Sequence, residues 1–323
     1  MDRAYAAGAT GSPPTAPASP SIGYPTAGNP ATATPATKPG AYWYHAVTEE
    51  LMGVIVAAGI TPAQGTLTQL KQALDAMYSG ASIAGNFSNL KASATGTSAA
   101  ITVTADSIVV ASAAPAFKLL QAVSLSISGA ANGANGLDTG ALTINTWYSL
   151  WVIWNGTTTA GLMSLSATAP TLPGGYTHKA RVGWVRTDAS GNKYPLGFRQ
   201  FGRKVNYAVA AGSNLAALPI MAGGVAGSVS TPTWVAVATG AYVPPTASHI
   251  SANATISAGH VTLVAPNNSY GGSTSTTNQP PLNLNIAGYG TQNCVMPLES
   301  TNIYWTSDWA TAQLTCFGWE DNL

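Results

Sequence analysis

The amino-acid sequence predicts a mainly β protein with an extended N-terminal arm, a small helical hairpin, a β-rich shaft or neck domain and a C-terminal β-sandwich. Three observations lead to this prediction. Proline is concentrated in the first 40 residues, apolar residues change from helical to alternating spacing near Ile83, and charged residues make up only 7% of the chain.

The arm comprises residues 1–40, which hold eight of the 21 prolines. Proline fixes its own φ and favours extended conformations in the residue before it. Gly, Ala, Ser and Thr fill most of the remaining positions, so this segment lacks the apolar residues that a core of its own would need. We therefore expect an extended arm that lies along another protein.

The helical hairpin is expected over residues 41–79. Thr48, followed by two glutamates, is typical of a helix start, and apolar residues then recur at helical spacing, which predicts a helix from about Val47 to Ala58. A second capping pattern begins at Thr66 and opens a helix with one apolar face. That face is made of Leu67, Leu70, Leu74 and Met77.

From Ile83 onward the alternating pattern predicts strands only. Residues 80–209 are expected to form the shaft or neck domain, and a Gly- and Ala-rich joint near residue 210 predicts a boundary before a C-terminal β-sandwich at 210–323. The segment from Trp147 to Trp154 is apolar on both faces, so it needs cover from a second sheet or from another subunit.

The low charge content points to assembly. A chain with net charge +1 and 46% hydrophobic residues is poorly protected against association, so we expect a homotrimer that buries part of this surface. No apolar run is long enough to span a bilayer, which predicts no membrane insertion, and synthesis and assembly are expected in a cytoplasm.

No pattern in the sequence indicates catalysis, a cofactor or a metal. The four histidines are widely spaced, the two cysteines provide at most one bridge, and no pair among the few acids is marked for glycoside hydrolysis. Seven of the twelve basic residues lie between Lys179 and Lys204, but the near-zero net charge argues against nucleic acid as a partner.

Distinctive segments occur at residues 1–9, 23–30 and 38–45, in the predicted hairpin, and later at 133–140, 147–148, 172–176 and 318–323. Together these segments resemble tail fibre proteins of tailed bacteriophages. The resemblance implies a structural virion protein of the tail, made in the host cytoplasm, whose N-terminal arm attaches to phage tail proteins. In the matching N-terminal segments the candidate tail-attachment residues are Tyr5, Tyr24, Tyr42 and Trp43.

The same resemblance implies that the C-terminal domain binds the bacterial host, through a surface glycan or an outer-membrane protein. The candidate receptor contacts are aromatic residues that suit sugar stacking or protein anchoring, namely Tyr270, Tyr289, Trp305 and Trp309. Residues of this kind also serve as core or trimer contacts. The seven basic residues between Lys179 and Lys204, here called the basic run, are expected to be solvated or to contact the tail, with attraction to anionic lipopolysaccharide as the alternative.

Two other functions stay open. One is a tail or head decoration or adaptor protein that never binds a receptor. The other is a small tail-borne polysaccharide depolymerase, which needs two carboxylates across its substrate. Binding rather than catalysis is the expectation that the sequence favours.

Overall fold

The structure is a computed structural model that describes residues 10–18, 23–63, 65–79, 84–113 and 116–323. The chain forms two compact units, Met1–Ser82 and Ile83–Leu323. Eighteen strands and two α-helices are found in the described residues, so the prediction of a mainly β protein is confirmed.

The first unit contains a 3-10 turn at Pro30–Thr32 and two helices, α1 at Ala41–Ala57 and α2 at Gln69–Ser79. Helix α1 begins six residues earlier than expected, directly after Gly40, because residues 41–47 contain no Pro or Gly that would prevent a helix there. Thr48 therefore lies inside the helix and does not cap it.

The second helix begins after the expected capping segment. Leu67 precedes the helix and is 98% exposed, so it does not join the apolar face that the pattern predicted. The buried side chain of Gln69 secures this helix start, because its amide donates to the Thr61 carbonyl and accepts from the Ala63 N–H. Helices α1 and α2 contact each other, and Met52, Ile55 and Ala73 are buried.

The second unit contains all of the strands found in the described residues. Their bounds are β1 Phe87–Ser88, β2 Lys91–Ala94, β3 Ala100–Ala111, β4 Phe117–Ser128, β5 Gly136–Leu137, β6 Trp147–Trp154, β7 Thr159–Ser164, β8 His178–Arg186, β9 Phe198–Phe201, β10 Lys204–Tyr207, β11 Ile220–Gly223, β12 Val235–Ala238, β13 Ala247–Ile256, β14 Thr262–Ala265, β15 Leu282–Leu284, β16 Gly290–Pro297, β17 Asn302–Ser307 and β18 Gln313–Asp321.

These strands form two sheets. The larger has 14 strands, with the central order β16-β13-β18-β10-β9-β2-β3-β8-β6-β7-β5, and the smaller has the order β12-β17-β14-β15. Every described pair of strands is antiparallel except β5 with β7. One continuous hydrophobic core contains buried residues from both sheets, including Ile250, Leu314 and Trp319 of the larger and Val264 and Ile303 of the smaller.

Strand β6 is buried on both faces, as its composition predicted. Leu150 and Val152 face the main core. On the other face, Trp151 and Ile153 form a second cluster that Leu172 and Tyr176 cover. The cover on this side therefore includes a loop of the same chain, which the sequence pattern could not distinguish from a second sheet or a subunit.

The expected boundary near residue 210 does not divide the β unit. Strand β18 pairs with β10, which precedes that position, and also with β11 and β13, which follow it. A single sheet therefore continues across the Gly- and Ala-rich joint, and residues 83–323 form one compact unit.

A buried ion pair connects β8 to the end of β18. Arg181 Nη1 lies 2.6 Å from Asp321 Oδ2, and the two side chains are 12% and 0% exposed. The Thr246 hydroxyl donates to the other Asp321 oxygen and accepts from the Trp184 indole at 2.8 Å, while Arg181 Nη2 donates to the carbonyl of Asn322. Every charge in this group has a partner, as burial requires.

Trp305, a candidate receptor contact, is a core residue. Its side chain is 2% exposed on β17, the strand between β12 and β14 in the smaller sheet. The aromatic composition of this segment suggested a surface contact, but a central strand packed in the core turns the indole inward. Trp305 is therefore not available to a receptor in this fold.

Replacing Trp305 with Ala should reduce the free energy of unfolding by about 3–5 kcal/mol, because a large buried ring is lost and a cavity remains. Urea denaturation at one fixed protein concentration measures this. The Tyr289→Ala variant is the control, since Tyr289 is exposed and its truncation should change stability by less than about 0.5 kcal/mol. Equal effects of the two substitutions would contradict the assignment of Trp305 to the core.

Removing one partner of the ion pair should cost more than replacing both. Asp321→Ala leaves the buried Arg181 charge uncompensated and should destabilise the protein by about 3–5 kcal/mol. The double variant Arg181→Met, Asp321→Leu removes both charges and should recover most of that loss. A double variant no more stable than Asp321→Ala would contradict this expectation, because the loss would then not come from an uncompensated buried charge.

The same carboxyl should make stability depend on pH. Burial raises the pKa of Asp321 above its ordinary value of 3.8, and the Thr246 hydrogen bond and the Arg181 charge offset this only in part. The folded state therefore keeps the proton to higher pH than the unfolded state. The stabilisation is complete below the ordinary pKa and is lost as pH rises through the raised folded value.

As the pH rises from about 4 through the raised folded pKa, the wild type should therefore lose stability relative to the Asp321→Asn variant, which does not titrate at this position. Urea denaturation of both proteins at several pH values measures the difference. Asp106→Asn, which removes an exposed carboxylate, is the control. A gain of wild-type stability relative to Asp321→Asn over this range would show that the folded pKa is lowered instead.

Candidate functional site

Three loops bring aromatic and charged side chains together at one end of the two sheets. Strands β14 and β17 pair with Thr262 opposite Ser307, and the backbones of Val261 and Asp308 continue the ladder by one step. His260 and Asp308 therefore lie side by side just beyond the paired strands. Tyr289 reaches the same end, because Gly290 on β16 pairs with Ile256 at the end of β13.

We call His260, Tyr289, Asp308 and Trp309 the loop cluster. The imidazole of His260 stacks on Trp309, with ring centroids 6.3 Å apart and planes inclined by 29°. The ring of Tyr289 meets Trp309 edge to face at 5.8 Å. Tyr289 is 71% exposed and Trp309 is half-buried, so the cluster presents aromatic surface to solvent.

Two contacts hold the Asp308 carboxylate in position within the loop cluster. Its Oδ1 accepts the Val261 N–H at 2.7 Å and lies 3.3 Å from His260 Nδ1. The side chains of Asp308 and His260 are each about two fifths exposed, and Oδ2 has no partner in the described part of the chain. A carboxylate held in this way can accept hydrogen bonds from a ligand's hydroxyl groups beside an aromatic ring.

The four candidate receptor contacts therefore lie in three different places in the fold. Tyr289 and Trp309 come together in the loop cluster, whereas Trp305 belongs to the core. Tyr270 lies in the long loop between β14 and β15, where its carbonyl accepts the indole N–H of Trp234 at 3.0 Å. No described contact joins Tyr270 to the loop cluster.

His260 and Asp308 were not singled out from the sequence. They are 48 positions apart, and their contact arises only because β14 and β17 pair in register. An isolated histidine and an isolated aspartate give no local signal. The strand pairing is the only information that would have found them.

Three of the candidate tail-attachment residues lie in the described part of the first unit. Tyr24 is almost fully exposed, and Tyr42 and Trp43 lie exposed in the first turn of α1. The rings of Trp43 and Tyr44 meet edge to face, with their centroids 5.1 Å apart. Tyr5 lies outside the described residues.

Several other polar residues are engaged in local structure. The Asp138 carboxylate accepts the Ser164 hydroxyl at 2.6 Å and the Thr171 N–H, and the buried Asp188 accepts from Ser190 and Asn214. Within the described ranges no set of three or more His, Cys, Asp or Glu residues is arranged to hold a metal ion. No helix in these ranges is both long and apolar enough to cross a membrane.

The two cysteines are not bridged. Cys294 on β16 and Cys316 on β18 lie on either side of β13, both opposite Ala252, so a strand separates the two thiols. Burial raises the pKa of Cys316 to about 12, which keeps this thiol protonated at neutral pH. Cys316 therefore acts as a small core residue.

Comparison with known proteins found no match for the chain among protein family models, curated proteins or solved structures. The chemistry of the loop cluster is therefore inferred from its own geometry, with two aromatic rings and an imidazole beside a partly free carboxylate.

Proposed function

We propose that the chain is a tail fibre protein of a tailed bacteriophage, a structural component of the virion that binds the host surface during adsorption. The loop cluster is the observation that supports receptor binding, because it places exposed rings next to hydrogen-bonding groups. Aromatic faces stack on the apolar faces of sugar rings, while carboxylate and imidazole groups bond to hydroxyls. A bacterial surface glycan fits this chemistry better than a flat protein surface.

In this proposal the first unit attaches to the tail. Its Pro-rich residues lack a core of their own, and Tyr24, Tyr42 and Trp43 are exposed. Helix α1 also exposes Val47 and Val56, so apolar side chains on several of its faces remain open for a partner. A tail protein that covers the arm and this helix would bury them.

The proposed assembly is a homotrimer. The chain has one charged residue in about fourteen, and the second unit exposes large apolar side chains whose burial would favour association. These include Leu119, Ile144, Leu165, Ile220, Val225 and Val295. Three copies would also combine weak sugar contacts into firm attachment through avidity.

We interpret the C-terminal part of the β unit as a β-sandwich with two layers. One layer is the smaller sheet, and the other is the part of the larger sheet that contains the paired strands β13 and β18.

The test is competition by the purified full chain with phage adsorption to host cells, together with its mass in solution. We expect a trimer that binds cells saturably and blocks adsorption. Tyr289→Ala and Trp309→Ala should each weaken cell binding by about tenfold, as truncation of an interface aromatic does. Asn192→Ala, which truncates an exposed polar side chain between β8 and β9, should leave it unchanged.

Other outcomes would identify the competing functions. A trimer that ignores host cells would indicate a decoration or adaptor subunit. Release of reducing ends from the host glycan, abolished by one carboxylate substitution, would indicate a depolymerase. Cell binding that survives both aromatic substitutions would remove the loop cluster from the receptor site.

A further inference from the structure

The larger sheet carries a row of cationic side chains on its outer face. Lys91 on β2 and Lys204 on β10 both lie directly opposite Phe201 of β9, the strand between them. Directly opposed residues on paired strands point to the same face of the sheet, and so do residues two apart on one strand. Arg199 therefore shares this face with Phe201, and all four side chains are exposed.

We call Lys91, Arg199, Phe201 and Lys204 the basic face. Neighbouring strands are about 4.8 Å apart, so the two lysines are separated by roughly 9.5 Å across the sheet, with the phenyl ring between them. Arg203 in the β9–β10 turn adds a fourth exposed cation next to Lys204. Phe201 is 60% exposed, so much of its ring is open to solvent between the two lysines.

The cations of the basic face have no anionic partner in the described residues, where the ion pairs involve Asp75, Asp321 and two histidines with their acids. Two carboxylates lie nearby. Glu320 is opposite Lys204 in the strand register but does not form an ion pair with it, and Asp106 accepts the side-chain amide of Asn89. Positive charge therefore exceeds negative charge on this face, although the whole chain is nearly neutral.

A pocket of about 330 Å³ adjoins Lys91. Asn89, Thr104 and Asp106 line it with an amide, a hydroxyl and a carboxylate, and Ala122 lies at its wall. The ladder between β3 and β4 is interrupted at Asp106 and Ala122, and Ala122 adopts a left-handed conformation with a φ of 49°. Such strain in a residue with a side chain is uncommon and is often found at binding sites.

We propose that the basic face and the adjoining pocket bind an anionic polysaccharide, with carboxylate or phosphate groups on the cations and a sugar ring on Phe201. The face crosses several strands, so a chain molecule can lie over it, and the polar pocket suits the hydroxyl groups of one sugar residue. The choice of a polysaccharide among polyanions rests on the proposed function. The site shares no residue with the loop cluster.

The basic run in the sequence predicted this surface only in part. Of its seven cations, Arg181 is paired with Asp321, and the ammonium of Lys179 lies over the Trp151 ring and donates to the Thr168 carbonyl. Only the cations at 199–204 reach the basic face. Lys91, more than 100 residues earlier, joins them because β2 pairs with β9.

The experiment measures binding of the full chain to a polygalacturonate oligomer, a phosphorylated dextran and a neutral dextran at several salt concentrations. The wild type should bind both anionic polymers and not the neutral one, and added salt should weaken binding because exposed charges are screened. The triple variant Lys91→Gln, Arg199→Gln, Lys204→Gln should bind on the order of tenfold more weakly, the expected sum of three exposed contacts. Phe201→Ala should weaken binding at every salt concentration.

The matched control is the triple variant Lys38→Gln, Lys118→Gln, Lys193→Gln, which changes the net charge by the same amount at other positions. Equal losses in the two triple variants would show that net charge alone attracts the polymer and would overturn the proposal. Tighter binding of a single-stranded DNA oligomer of equal charge would also overturn it. Failure of the proposed function would appear separately, as unchanged phage adsorption in the presence of the wild-type chain.

Discussion

The ion pair between Arg181 and Asp321 fixes the end of the strand on which the whole β unit depends. Strand β18 lies between β10 and β13 and also pairs with β11, so it joins segments from both sides of the Gly- and Ala-rich joint. The ion pair, Thr246 and the Trp184 indole hold the last residue of that strand against β8. Without this attachment the two halves of the unit would share fewer contacts.

The sequence predicted the class of structure well and its long-range connections poorly. Alternating apolar residues identified most of the strands, and the doubly apolar pattern of β6 correctly indicated burial on both faces. A composition change near residue 210 suggested a boundary, but composition reports local flexibility and not pairing. Whether the strands on either side of this Gly- and Ala-rich segment share a sheet depends on β18, which lies more than 100 residues further on.

The candidate site shows the same limit. Tyr289 and Trp309 were predicted from their residue type and loop surroundings, and the structure brings their rings together. Trp305 had an equally aromatic sequence context and lies in the core. His260 with Asp308, and Lys91 with Phe201, become neighbours only through strand register. A single sequence shows which residues are suited to a site but not which strands bring them into contact.

The position of β18 also has a consequence for the order of events during biosynthesis. Strands β10, β11 and β13 all precede it in the chain, and each has β18 as a neighbour in the sheet. The ribosome must therefore make residue 321 before these strands can share their common partner. Until then their edges stay open to pairing with other molecules, a hazard for a nascent chain with so few charges to keep copies apart.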